Sequence, residues 1–260
     1  MAVDLNGRWE NNFGSFLNLK VDAQGVITGV YGSDTGSSGT YYLVGAAGLN
    51  APTEQAGRNL AVSVFWHPID GTKSDPSWHW VTTQCGQLQI DGTISLFQSL
   101  VATTDFPGLA GIGNYLEKLT CSRTDKGPTT PIPAAPSPDD PQQEDLLNGQ
   151  WQASYGGPGL SLSVKKSDYG WLCGRLSLDD EAILMRGFAD IHADDTMLRG
   201  VTLCGYSSAR GAAIALNGSL DPSTGRLTLS RWFALSTSSA DGYVQTDLGS
   251  WVFEPDTTER

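Results

Sequence analysis

At 260 residues the chain has room for one large domain or two of ordinary size, because a single core rarely keeps growing past roughly 250 residues. Thirty-one glycines, thirteen prolines and only 17% charged residues, with short apolar runs punctuated by Gly, Ser, Asp and Thr, favour an all-β protein over a helical one. A formal charge of −12 argues against nucleic-acid partners, which need clustered Lys and Arg to displace counterions, and no apolar run reaches the ~20 residues of a membrane helix.

In chain order, the first unit opens with LNGRW at Leu5 to Trp9. The preceding MAVD adds neither a basic nor an apolar region of a signal peptide, so either the chain is made in the cytosol or a leader is missing from this sequence. Next come an alternating strand, LNLKV (Leu17 to Val21), a turn at DAQG, and GVITGVY ending at Tyr31. YYLVG (Tyr41 to Gly45), VSVFW ending at Trp66, SWHWVTTQC ending at Cys85, TISLF ending at Phe97 and a closing GNYLEKL complete the unit. Residues Ser122 to Asp145 then carry Pro at 128, 131, 133, 136, 138 and 141 and read as an extended, semi-rigid spacer.

Beyond the spacer the pattern repeats. LNGQW (Leu147 to Trp151) answers LNGRW, LSLSV (Leu160 to Val164) answers LNLKV, and GWLCGRL ends at Leu176 where GVITGVY ended at Tyr31. ILMRG (Ile183 to Gly187), TLCGY ending at Tyr206 and TLSRW ending at Trp232 continue the copy. The expected division is 1–121 for the first unit, 122–145 for a Pro-rich linker and 146–260 for the second. About eight short strands per unit fit an up-and-down antiparallel barrel, which leaves no open edge; a sandwich is the alternative. An eight-stranded barrel has a mouth just wide enough for one small ligand.

The chemistry-bearing residues cluster early. WENNFGS sets Trp9, Asn11, Phe13 and Ser15 two residues apart, so in a strand they share one face. Tyr31, Ser33 and Thr35 share another in YGSDT. An inward hydroxyl or amide with no partner costs roughly 1–3 kcal/mol, so polar groups on an inner face imply water or a ligand. Combined with Trp66, Trp78, Trp80, Phe97 and Phe106, they describe an apolar cage with convergent hydrogen-bonding groups.

These motifs, WxNxxGS followed by GxYxS, resemble the avidin/streptavidin family of biotin-binding barrels. The resemblance implies that Asn11, Ser15 and Tyr31 donate to the ureido oxygen of biotin and that Ser33 and a late Asn, placed at Asn114 in GNYLEKL, accept from its NH groups. It also implies walls from Trp66, His79, Trp80, Phe97 and Phe106, with Phe13, Thr35 and Ser77 completing the lining. Phe97 and Phe106 stand where the family has Trp, so contact area is reduced and binding weaker than in the strongest members is expected. For His79 the reading as a residue on the wet rim of the barrel is favoured over a ligand contact.

In the second unit the counterparts of Asn11, Ser15, Tyr31 and the late Asn are Ala153, Gly157, Leu176 and Trp251. The expectation there is a degenerate barrel with a structural or partner-docking role or another ligand, its signature kept in Trp151, Trp232, Tyr243, Gly249 and Phe253. The four cysteines fall two per unit; free thiols and one disulfide per unit are both open, the latter favouring secretion. With the family as guide, a Cys85–Cys121 bridge is expected. Neither a catalytic motif nor a metal-ligand spacing occurs, so the reading is non-catalytic, high-affinity biotin binding without cofactor or metal. A lectin-like or interaction module that lost biotin is the alternative. Family members assemble as dimers or tetramers, so the resemblance also implies pairing of the two barrels within the chain, leaving open a monomer that resembles a dimer and a homodimer that forms a pseudo-tetramer.

Overall fold

The computed structural model describes residues 4–33, 38–71, 77–105, 111–125, 131–132, 134–238 and 246–256. Within them the chain forms β1 (Gly7–Asn11), β2 (Phe16–Val21), β3 (Val26–Ser33), β4 (Gly39–Ala47), β5 (Arg58–Pro68), β6 (Trp80–Leu88), β7 (Thr93–Ala102) and β8 (Gly113–Thr124). A second set follows as β9 (Gly149–Ala153), β10 (Gly159–Val164), β11 (Trp171–Leu178), β12 (Glu181–Ala189), β13 (Arg199–Ser207), β14 (Ala212–Asp221), β15 (Arg226–Leu235) and β16 (Thr246–Pro255). Each set pairs consecutively, antiparallel, and closes on itself: Asn11 of β1 lies opposite Cys121 of β8, and Ala153 of β9 opposite Phe253 of β16. The protein is all-β, two closed eight-stranded barrels in tandem. No helix among the described residues is long and apolar enough to cross a membrane.

The repeated LNGxW opening has one physical job in both barrels. Leu5 and Leu147 are fully buried, and their carbonyls accept from the indole nitrogens of Trp9 and Trp151 at 2.8 and 2.9 Å. The side-chain oxygens of Asn6 and Asn148 accept from the backbone of Val21 and Val164 at 2.8 and 2.7 Å, tying the barrel's entry to the end of the next strand. Between them Gly7 and Gly149 adopt φ of 118° and 128°, a region costly for any residue with a Cβ. Sequence identity at this motif thus reports a plug for the base of each barrel.

The barrels lie against each other along β5 and β6 of the first and β13 and β14 of the second. Small side chains, Ala61, Cys85, Cys204, Ala213, Ala215 and Ala234, let the sheets approach, with Trp232 among them. A second apolar cluster joins Val44, Phe65, Val81 and Val101 to Trp171 and Phe188. Polar groups between the sheets are paired: Asn59 Nδ2 donates to the carbonyls of Gly211 (2.6 Å) and Ala234 (3.0 Å), and Asn217 Nδ2 to Ser99 Oγ (2.9 Å). Every residue of β6 is consequently buried, one face in the lumen and the other in the seam.

The prolines after residue 133 do not span open space. Lys165 is buried and donates to the carbonyls of Pro138 and Asp140, Arg186 donates to that of Pro136, and Arg199 pairs with Asp145 at 2.6 Å. That stretch of the linker lies on the second barrel.

The cysteine expectation is corrected here. All four cysteines are free and buried. Cys85 faces the seam, opposite Phe97, whereas Cys121 faces the first lumen, opposite Ile94. Strand β7 separates them and they point to opposite faces of the sheet, so a Cys85–Cys121 bridge is geometrically barred.

Candidate functional site

The site is built from the end of β1. A tight turn follows, in which Asn11 Oδ1 accepts from the backbone nitrogens of Phe13 (2.9 Å) and Ser15 (3.0 Å). With its oxygen occupied by the turn, the Asn11 amide turns its NH₂, the donor end, toward Tyr31. The same turn returns Ser15 to the lumen, where it stands beside Ser33 of β3 with the hydroxyl oxygens 3.5 Å apart. Tyr31, two residues before Ser33, is buried and hydrogen-bonds with Ser15 and Asn11. Burial pushes the Tyr31 phenol above its usual range, so it stays protonated and able to donate. Asn11, Ser15, Tyr31 and Ser33 therefore meet in one corner of the first lumen.

Aromatic rings wall this corner. Trp66 meets Tyr31 edge-on at 5.6 Å between centroids, Tyr41 at 4.9 Å and Trp80 at 6.5 Å, and Trp78 stacks on Trp80 at 5.0 Å. The Trp66 indole donates to Thr82 Oγ1 at 2.8 Å, which fixes the ring's orientation.

Other expected site residues lie elsewhere. Phe13 sits in the turn rather than on the strand face, because β1 stops at Asn11, and it is 52% exposed. Ser77 is exposed before β6, its carbonyl accepting from Thr104. His79 turns away from the lumen and bonds Asp190 of the second barrel, Nδ1 to Oδ2 at 2.7 Å. Phe97 faces outward into the seam cluster. Asn114 is exposed opposite Val101, whose side chain belongs to the seam, so it points away from the pocket. The β8 neighbour of Asn11 is Cys121, a thiol and so a weak acceptor. Thr35, Phe106 and Tyr243 lie outside the described residues.

Five lumen residues went unanticipated: Tyr41, Thr82, Gln84, Gln98 and Glu117. Counting by twos from Trp80 reaches Thr82 and Gln84, and from Leu96 reaches Gln98, so strand parity carried the signal. Glu117 stands next to Gln98 across β7 and β8, and burial raises its carboxyl above the usual range. Among the described residues no cluster of His, Cys, Asp and Glu is arranged to hold a metal ion.

The second lumen differs in kind. Ala153 and Leu176 are buried in an aliphatic core with Leu162, Met185, Leu203 and Leu216, and Trp251 packs against it. A comparison with curated proteins finds no match for the chain. The family model described as Avidin family matches residues 1–104, which takes in the first seven strands of the first barrel. With that match, the closed eight-stranded topology and the corner at the end of β1, the first barrel belongs to the avidin family, and the chain carries a second barrel of the same build.

Proposed function

We propose that the first barrel binds biotin, or a ligand presenting the same cyclic urea, tightly and without chemical change, while the second barrel is structural. The observation that carries this reading is the convergence of Asn11, Ser15 and Tyr31 beside the Trp66 ring. Three donors around one carbonyl oxygen polarise it toward an oxyanion, which makes each hydrogen bond stronger than a neutral pair. Trp66, Tyr41 and Trp80 supply the apolar contact for the rest of the ring system. In the second barrel a urea would enter among leucines with its hydrogen bonds unmade. The seam between barrels stands in for the subunit packing of the family, and two chains would complete a pseudo-tetramer.

Calorimetric titration with biotin tests the reading. One site per chain is expected, and Asn11→Ala and Tyr31→Phe should each weaken binding by at least about 1 kcal/mol. Two sites per chain, or unchanged affinity in both variants, would place the pocket elsewhere.

A further inference from the structure

The three-donor corner leaves part of the first lumen unexplained. Gln84, Gln98 and Glu117 stand side by side on β6, β7 and β8, in register and on the inner face. Gln84 Nε2 donates to Gln98 Oε1 at 2.7 Å, and Gln98 Nε2 donates to Glu117 Oε2 at 3.3 Å. A carboxylate accepts only, so Glu117 sets the direction of the whole ladder: each amide turns its NH₂ toward it. The far end must then present an oxygen. That atom, Gln84 Oε1, is buried and has no hydrogen-bond partner among the described residues, on a side chain with no exposed surface. Such an orphan is unfavourable to bury, and it sits in a wall whose neighbours along the strands, Leu96, Leu100 and Leu88, are apolar. The matching inner position of the second barrel, on β14, is Leu216.

We infer that the Gln84–Gln98–Glu117 ladder is the specificity wall of this pocket, selecting a cyclic urea or amide that carries a hydroxyl or N–H donor on the ring edge away from its carbonyl. The inference rests on the urea-binding reading above. An apolar ring edge leaves Gln84 Oε1 dry and unpaired; a donor there satisfies it and closes the chain of hydrogen bonds to Glu117.

The test uses two small ureas that differ only at that edge, 2-imidazolidinone and 4,5-dihydroxy-2-imidazolidinone, titrated into the whole chain by ligand-observed NMR. The diol is expected to bind at least about fivefold tighter, the equivalent of one net hydrogen bond. In Gln84→Leu that advantage should vanish while the parent urea keeps its affinity. Glu117→Gln, at an exposed position that carries little folding risk, frees the amides to reverse and should shrink the advantage. Equal affinities for the two ureas on the wild-type chain overturn the inference and leave urea binding standing. So does an advantage that survives both substitutions in variants that melt like the parent. Binding of neither urea removes the pocket reading and this inference together.

Discussion

The two barrels share a base and differ in what fills them. Both are plugged by the same Leu–Asn–Gly–x–Trp device, with matching indole-to-carbonyl bonds and matching positive-φ glycines. Above the plug the first barrel keeps Asn11, Ser15, Ser33, Thr82 and Gln84 buried on its inner face, while the second has Ala153 in place of Asn11 and packs Ile214 and Leu216 on the strand that matches Thr82 and Gln84. The rim and base of such a barrel are set by closure, and closure makes no demand on the polarity of the lumen. A duplicated barrel can therefore trade its pocket for apolar packing without changing its topology, and the filled copy then holds the open one.

The largest expected effect tests the shared part. Trp9→Ala and Trp151→Ala each remove a buried indole and its bond to a leucine carbonyl, so each should cost about 3–5 kcal/mol in denaturant unfolding. A loss under about 1 kcal/mol in either barrel would show that the plug is not common to both. The next effect tests the difference by exchanging residues at the matching place on β6 and β14. Leu216→Gln replaces a fully buried leucine of the second core by an amide and should cost about 2–3 kcal/mol. Gln84→Leu removes an unpartnered oxygen and one side-chain hydrogen bond, so its stability should stay within about 1 kcal/mol of the parent. Equal costs for the two swaps would mean that the lumens are not different in kind.

The barrels and their repeat were legible in the sequence because strand alternation and the LNGxW plug are local. So was the Asn11–Ser15–Tyr31 corner, since a tight turn and a single strand pair assemble it. The far wall was not. β5 and β6 are buried on both faces, one by the lumen and one by the other barrel, so apolarity no longer distinguishes inside from outside. Phe97 and His79 read as pocket walls because they are the kind of side chain a pocket uses; they are buried by the seam instead. Asn114 fell to register, since in the twelve-residue strand β8 a shift of one position turns every side chain to the other face.

A further test concerns the seam that joins the unlike barrels. The three histidines of the chain gather there: the rings of His67 and His192 stack at 4.1 Å across the barrels, His79 bonds the fully buried Asp190, and Phe65 lies 4.4 Å from His67. Burial first, and then the neighbouring His192, lower the His67 pKa from 6.5 to about 4; Asp190 opposes the shift and His79 adds to it. A base whose folded pKa is depressed stabilises the fold in its neutral form. Below 6.5 the unfolded chain takes up a proton that the folded chain refuses, so stability falls as pH drops from about 6.5 toward 4. Thermal melts across that window should show the loss, and His67→Gln should flatten it, because glutamine does not titrate there. With the seam weakened, the filled and open barrels should melt as two transitions. A single transition of constant midpoint between pH 7 and pH 4 would mean that the histidines do not couple the barrels.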